Sequence, residues 1–410
     1  MIDEIISIKK LKSFMIIIIL ILFFFLCNKL LKSNNIPQIN KNIFLEMNES
    51  QNSIESYTKY FNICKNLIRL NNSKTHIHKY PFISVCIPVY NTEKYIERAV
   101  LSIINQSFQN FEIIIVNDNS NDNTSNIIKR LQKEDNRIRI INHLKNSGVY
   151  NSRVEAALNS NGKYILFLDP DDTILRQNLF ECLYNYNINY NLDIIEFLVY
   201  FKKENKTHIY YPNNTNLNHN HSYNNNIIYQ PLLSDIIFYV PNTKKNKLIC
   251  RTIWNKLFRR ELLLKTIKYV GEEYYFNDNL IVADDTILNI INFHFAKNYS
   301  NIKIGGYLYN LRAKSMSRGF ISNLYIKKKA ISFFFYIKLL YRYIKEFDKD
   351  RNLIYKELFT FRRMIIAFKK YNIKIYYFEK LKLVLYEIKN DDKSSHLLKD
   401  FIHKLLMDLN

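Results

Sequence analysis

The chain has 410 residues, a formal net charge of +22 and a hydrophobic fraction of 48%. This length allows one large domain with appendages or two domains, and the apolar fraction is sufficient for a packed core. The positive charge would suit a nucleic acid or an anionic membrane. Because no basic stripe with interleaved aromatic residues accompanies it, we predict no nucleic-acid partner. The five cysteines form no close pair, which argues against a cysteine-based zinc site.

An uninterrupted apolar run follows Ser13 and ends at Cys27. With the neighbouring leucines it approaches the roughly 20 residues that a helix needs to cross a bilayer. A cleaved signal peptide is the alternative, but no small-residue cleavage site follows the run. We therefore predict an uncleaved transmembrane signal anchor at 13–31, which attaches the chain to a membrane.

From Pro81 onward, β-branched runs alternate with segments of helical periodicity. The predicted order is strand FISVCIPVY, helix TEKYIERAVLSIINQSF, strand FEIIIVND, helix NDNTSNIIKRLQKE, strand RIRIIN, helix GVYNSRVEAALNS and strand KYILFLD. Such alternation predicts an α/β fold with a mostly parallel sheet covered by helices. Another helix and the strand LDIIEFLVYF follow, and residues 319–410 have the pattern of a helical extension.

Acidic side chains follow two of the predicted strands. Asp118 follows the second strand, and Asp169, Asp171 and Asp172 follow the fourth. Ligands of open α/β sheets bind beyond the carboxyl ends of the strands, and clustered carboxylates supply the oxygen ligands of Mg²⁺ or Mn²⁺. We predict that Asp171 and Asp172 hold such a metal together with a nucleoside diphosphate. The alternative is an ordinary turn in which Pro170–Thr173 caps the next helix, and these residues alone leave both interpretations open.

The arrangement as a whole resembles family 2 glycosyltransferases with the Rossmann-like GT-A fold. The resemblance runs through ISVCIPVYNTEKYIERAVLSIINQSFQNFEIIIVNDNSNDNT and NSGVYNSRVEAALNSNGKYILFLDPDD, covering 82 to about 200 closely and continuing loosely to about 318. It implies a nucleotide-diphosphate sugar as donor, with a UDP-sugar favoured. The donor contacts that it implies are Pro88, Val89, Tyr90, Asp118, Arg153, Asp169 and Asp171. The chain departs from the family pattern at Asn117, where an acid is usual, and at Val154, where Asn is common.

A second acidic pair, Asp284 and Asp285, begins the helical pattern DDTILNIINF. A carboxylate within reach of an acceptor hydroxyl can serve as general base, whereas acids favoured by the helix dipole are the alternative. The resemblance implies that Asp285 is the base of an inverting transfer to a glycan, glycolipid or glycoprotein. It also suggests acceptor contacts from Trp254, Lys256 and Asp284, although Trp254 could equally be a core residue.

The predicted organisation combines these segments. It consists of a tail at 1–12, the anchor at 13–31, a stem at 32–80, a catalytic domain at 81–318 with a nucleotide-sugar half (81–175) and an acceptor half (176–318), and the extension at 319–410. The catalytic domain is expected in the Golgi or ER lumen. The alternatives are a catalytically silent nucleotide-binding membrane protein of the same fold and a nucleotidyltransferase.

Overall fold

The computed structural model describes residues 80–203, 209–210, 227–229, 252–271, 284–311, 323–347, 349, 358, 362 and 377–409. The chain divides into two compact units, Met1–Asn72 and Ser73–Asn410, and all described residues belong to the second. The predicted tail, the anchor and all of the predicted stem except Tyr80 lie outside the described residues. Within the described ranges, no helix combines the length and apolar character needed to cross a bilayer.

The described residues contain ten strands that join one sheet. The strands are β1 (Ile83–Val89), β2 (Phe111–Asn117), β3 (Ile138–Asn142), β4 (Tyr164–Phe167), β5 (Thr173–Ile174), β6 (Ile194–Lys203), β7 (Ile209–Tyr210), β8 (Ile228–Tyr229), β9 (Lys256–Arg259) and β10 (Asn298–Leu311). Their order is β3-β2-β1-β4-β9-β6-β10-β5, with β7 paired to β6 and β8 paired to β10.

Helices connect and cover these strands. They are α1 (Ile96–Ile104), α2 (Thr124–Glu134), α3 (Val149–Leu158), α4 (Leu179–Tyr190), α5 (Arg260–Val270), α6 (Asp284–Phe295), α7 (Asn323–Glu346), α8 (Tyr377–Asn390) and α9 (His396–Leu409). The predicted alternation of strand and helix from Pro81 to β4 is therefore confirmed.

The first half of the sheet follows from its sequence. Every residue of β1, β2 and β4 is buried, as expected for parallel strands that are covered on both faces. In α1 the buried residues recur at helical spacing, at Ile96, Ala99, Val100 and Ile103, so one face of this helix packs inward. Strands β1, β2, β3 and β4 pair in parallel.

The prediction of a mostly parallel sheet is confirmed only in part, because the second half of the sheet is mixed. Strand β9 lies between β4 and β6 and is antiparallel to both, and β10 is parallel to β6 but antiparallel to β5. Strand β9 has only four residues, so its alternation is too short to identify from the sequence. The short antiparallel strands β5 and β9 therefore make the sheet mixed.

The described part of the predicted extension is helical, as expected. Helix α7 buries aromatic and aliphatic residues, including Tyr336 and Tyr343, in a core that it shares with α6, α8 and α9. Tyr343 Oη lies 3.2 Å from His294 Nδ1 at the end of α6, and Arg342 donates to the backbone oxygen of Tyr269 in α5 at 2.6 Å. These contacts join the extension to α5 and to α6, the helix that begins with the second acidic pair.

Candidate functional site

The candidate site lies at the carboxyl ends of β1, β2 and β4. The chain runs outward from β1 to β2 and β3, and then returns to the other side of β1 with β4. This reversal of strand order opens a crevice, which is the usual ligand position in such sheets. Asn91 after β1 and Asn119 after β2 adopt left-handed φ values of 52° and 61°. Asn91 Oδ1 accepts a hydrogen bond from Asn121 N at 2.8 Å, which ties the two loops together.

Residues Asp169–Asp172 form a turn after β4, here called the acidic turn. The backbone N–H of Asp172 donates to Asp169 O at 3.0 Å, which closes the turn. The next element is β5, and helix α4 begins only at Leu179. The alternative in which Pro170–Thr173 caps the following helix is therefore wrong.

Asp172 is buried at the base of the acidic turn. Its Oδ2 accepts from Tyr307 Oη and its Oδ1 accepts from Asn310 N, both at 2.8 Å. Burial, followed by the negative charges of Asp171 and Asp169, raises its pKa well above the usual value, although the two hydrogen bonds oppose this change. Because Asp172 is 1% exposed and both its oxygens accept hydrogen bonds within the protein, Asp171 is the more accessible of the two predicted metal ligands.

The acidic turn offers carboxylate oxygens, which are the type of ligand that Mg²⁺ and Mn²⁺ prefer. Asp171 is partly exposed, and Mg²⁺ in particular takes one or two protein carboxylates with phosphate oxygens and water. Within the described residues, no group of three or more His, Cys, Asp or Glu side chains is arranged to hold an ion by itself.

Arg153 of α3 joins the acidic turn to the second acidic pair. Its Nη2 donates to Asp169 Oδ1 at 2.7 Å, and its Nη1 donates to Asp285 Oδ1 at 2.6 Å. The arginine side chain is 5% exposed, and the two carboxylate side chains are 23% and 25% exposed. One planar guanidinium thus holds two carboxylates that remain open to a ligand. Arg153 and Asp285 are 132 positions apart in the chain.

Asp285 occupies the first turn of α6, as predicted. The helix begins at Asp284, whose side chain lies outside the described part of the structure. Asn289 Nδ2 donates to the backbone oxygen of Asp285 at 3.1 Å. Asp285 therefore has a defined position at the start of a buried helix, with its carboxylate directed to Arg153.

Asp118 organises the start of α3 instead of presenting a free carboxylate. Its Oδ1 accepts from Ser147 N and lies 2.7 Å from His143 Nδ1, while its Oδ2 accepts from Gly148 N at 2.8 Å. Burial would raise its pKa, but the hydrogen bonds from His143, Ser147 and Gly148 outweigh burial and lower it. The predicted donor contact of Asp118 is revised, because both carboxylate oxygens already accept hydrogen bonds and the residue is 3% exposed.

We expect Asp118→Asn to destabilise the protein by about 1–3 kcal/mol, because one amide oxygen cannot serve all three donors and a buried N–H loses its acceptor. Urea unfolding measures this change. Asp122→Asn is the matched control, since Asp122 also accepts from two backbone N–H groups, at Thr124 and Glu93. Asp122 is less buried, so water replaces its bonds and the loss is smaller. Equal losses in the two variants would contradict the role of Asp118.

The predicted donor contacts at the end of β1 differ in exposure. Pro88 and Val89 are buried within the strand, whereas Tyr90 is 45% exposed at the crevice. The backbone oxygen of Val89 accepts from Asp118 N at 2.9 Å. Of these three residues, Tyr90 therefore presents its side chain to a ligand.

The predicted acceptor residues Trp254 and Lys256 are both buried. The ring of Trp254 packs against Tyr307 and Tyr309, with ring centroids 4.6 and 5.4 Å apart. Lys256 has no exposed surface. Its buried ammonium group has partners in the core, since Nζ donates to Thr252 O at 2.7 Å and lies 3.6 Å from Glu196 Oε2. The acceptor contact predicted for Lys256 is revised to a core ion pair. The resemblance also suggests diphosphate contacts from Arg312, Ser315 and Arg318, which lie outside the described residues.

Three residues of the site were missed by the sequence analysis. Tyr307 and Asn310 on β10 bond the acidic turn, and Arg98 Nη2 of α1 donates to Asp171 O at 2.9 Å. The alternating aromatic residues of GGYLYNL were a signal for a strand at this position. No comparable signal marked Arg98, because an arginine on a surface helix is ordinary.

Fold and site define a class of α/β protein in which a sheet crevice carries a cluster of acidic residues joined by an arginine. Residues 84–263 match the sequence model of the family Glycosyl transferase family 2. This segment of the chain is similar to that family, and the fold of the described residues is the GT-A α/β fold with a mixed sheet flanked by helices.

Curated relatives are glycosyltransferases from bacteria. GlyA of Streptococcus pneumoniae is 30% identical over 239 residues, which are 58% of this chain and 31% of GlyA. EpsJ of Bacillus subtilis is 26% identical over 237 residues, covering 58% of this chain and 63% of EpsJ. The chain thus spans less than two thirds of either relative.

Among solved structures, S. aureus TarS 1–349 in complex with UDP-GlcNAc has a similar fold. The TM-score is 0.53 at 19% identity, and the match covers 80% of this chain and 87% of that chain. At this identity the likeness supports the fold alone.

Proposed function

We propose that this protein transfers a sugar from a nucleotide-diphosphate sugar to an acceptor hydroxyl, with inversion at the anomeric carbon. The observation that carries the proposal is the position of Arg153, whose guanidinium lies 2.7 Å from Asp169 and 2.6 Å from Asp285. The acid that follows β4 and the acid that begins α6 therefore belong to one site. A donor held at the first would lie next to a base at the second.

The proposed donor is a UDP-sugar. The match of residues 84–263 to family 2 glycosyltransferases supports a nucleotide sugar, and TarS, whose fold is similar, binds UDP-GlcNAc. In this chain the crevice at the end of β1 and β2 would receive the nucleoside, with the exposed ring of Tyr90 at its edge. The diphosphate would lie at the acidic turn.

A divalent metal, Mn²⁺ or Mg²⁺, is proposed at Asp171. When bound, it would supply positive charge that stabilises the leaving nucleoside diphosphate. The protein's own part is to keep Asp171 in place: Arg98 and Asn310 both donate to its backbone oxygen at 2.9 Å. The Asp171 carboxylate is thereby directed by a backbone that is fixed from two sides.

Asp285 is the proposed general base. The acceptor hydroxyl oxygen attacks the anomeric carbon, the bond from that carbon to the diphosphate oxygen breaks, and the hydroxyl proton moves to Asp285. Attack from the face opposite the leaving group inverts the configuration. Arg153 orients the Asp285 carboxylate by holding Oδ1, and this carboxylate is proposed to take the proton.

The acceptor is proposed to be a glycan, glycolipid or glycoprotein. Chondroitin synthase of Pasteurella multocida is 34% identical over 143 residues, which are 32% of this chain and 14% of that enzyme; its name agrees with a glycan acceptor. Attachment to a membrane through 13–31, with the catalytic domain on the lumenal side, rests on the apolar run alone.

Product analysis tests the proposed reaction. The purified full-length protein is incubated with Mn²⁺, a panel of UDP-sugars and a panel of simple glycan acceptors. Release of UDP that depends on both donor and acceptor is the expected result. Release of UMP together with a sugar phosphate would instead indicate a nucleotidyltransferase, since that class cleaves between phosphates. A folded protein that binds no nucleotide and releases none would contradict the proposal.

A further inference from the structure

We propose that Tyr307 is a positioning residue that keeps the acidic turn in the shape required to bind a metal-diphosphate, with Asn310 as its partner on the same strand. This proposal rests on the proposed function. Tyr307 and Asn310 belong to β10, in the acceptor half of the domain, whereas the acidic turn belongs to the donor half. A strand from one half thus fixes a loop of the other.

The hydroxyl of Tyr307 spans both ends of the acidic turn. It donates to Asp172 Oδ2 at 2.8 Å and accepts from Asp169 N at 3.2 Å. Tyr307 has no exposed surface, so water does not replace these bonds if the hydroxyl is removed. A donor to a buried carboxylate is worth more than an ordinary hydrogen bond.

Asn310 completes the hold on the turn. Its backbone N–H donates to Asp172 Oδ1 at 2.8 Å, and its Nδ2 donates to Asp171 O at 2.9 Å. Together, Tyr307 and Asn310 therefore contact all three acidic residues of the turn.

The position of Tyr307 is itself fixed. Antiparallel pairing of β10 with β5 places Tyr307 opposite Ile174 and Leu308 opposite Thr173. The ring of Tyr307 packs on Trp254, with centroids 4.6 Å apart. Trp254 therefore acts indirectly at the site, as the surface against which the tyrosine ring rests.

Removing the hydroxyl should loosen the turn. The three carboxylates repel one another, and one donor to Asp172 and the acceptor for Asp169 N would be lost. A turn that samples other shapes presents Asp171 correctly for only part of the time, and apparent affinity falls in proportion to that fraction. The effect should therefore appear in metal-dependent nucleotide binding.

The test compares Tyr307→Phe with Tyr164→Phe by calorimetric titration of the full-length protein with UDP in Mn²⁺. Tyr164 is a matched control, because it is also fully buried and its hydroxyl donates to Leu192 O at 2.8 Å. It lies at the start of β4, the strand that leads into the turn. We expect Tyr307→Phe to weaken UDP binding about tenfold and to raise the Mn²⁺ concentration at half-saturation, whereas Tyr164→Phe stays within about twofold.

The outcomes separate the two proposals. If wild type binds UDP and Tyr307→Phe binds it equally well, the positioning role is overturned and the proposed function stands. If wild type does not bind UDP, both fail. Should Tyr307→Phe not fold, Asn310→Ala provides the second measurement, because it removes the side-chain bond to Asp171 O and keeps the backbone N–H bond to Asp172. A weakening of about threefold supports the proposal, and unchanged affinity overturns it.

Discussion

Replacing Asp285 by Asn lowers the rate of sugar transfer by about a thousandfold and leaves UDP affinity within about threefold of wild type. The rate falls because the amide cannot accept the acceptor's proton, and general base catalysis contributes about 10²–10⁴-fold in enzymes. UDP affinity persists because the bond between Arg153 and Asp169 remains. Initial rates of UDP release and UDP titration measure the two quantities.

Asp193→Asn is the control for this experiment. Asp193 also forms an ion pair with an arginine, since its Oδ1 lies 2.6 Å from Arg259 Nε. Asp193 precedes β6. Pairing through β9 places the start of β6 near the start of β4, at the opposite end of the strands from the acidic turn. The control should lose stability and keep its turnover. Wild-type turnover in Asp285→Asn would remove this residue from the role of base.

Arg153→Lys is expected to lower kcat/KM by about a hundredfold, with losses in both UDP affinity and kcat. A lysine keeps the charge but lacks the planar fork that reaches two carboxylates at once. It would satisfy Asp169 or Asp285 and leave the other without its bond, which costs roughly 1.5–3 kcal/mol for a hydrogen bond to a charged group. Steady-state kinetics measures the loss of kcat/KM, and urea unfolding measures the loss of stability.

Arg259→Lys separates the loss of function from the loss of stability. Arg259 likewise joins several groups, donating to Asp193 Oδ1 at 2.6 Å and to the backbone oxygen of Asn191 at 2.6 Å. This control should lose a similar amount of stability and keep kcat/KM within about twofold. If Arg153→Lys lost stability alone, the guanidinium would be a structural tie and the site would need another link between its acids.

The parts of the fold and site that depend on local pattern were predictable from the sequence. Largely apolar runs identified β1, β2 and β4, and the acids that follow β2 and β4 marked the end of the sheet where a ligand is expected. Asp285 was placed at the start of a helix because apolar residues recur after it at helical spacing. In each case the signal lies within about a dozen consecutive residues.

The parts that depend on distant partners were not predictable. Asp172 resembled a metal ligand until β10, 138 positions later, was seen to bond its Oδ1. Asp118 resembled a donor-binding residue, but in the structure its carboxylate accepts hydrogen bonds from Ser147 N and Gly148 N in the loop before α3. Lys256 resembled an exposed cation, and the pairing of β9 with β6 places it opposite Glu196. Sequence gives the residue type, whereas the strand pairing decides which oxygens and nitrogens remain for a ligand.

The most direct test of the account is a UDP titration of wild type and Asp171→Ala, each with Mn²⁺ and with EDTA. The account predicts that wild type binds UDP in Mn²⁺ and loses most of that affinity in EDTA. Asp171→Ala should bind weakly in both conditions and remain folded, because its backbone oxygen still accepts from Arg98 and Asn310. Equal binding by the two proteins in Mn²⁺ would show that the acidic turn is structural, and would contradict the assignment of this edge of the sheet to a metal-diphosphate.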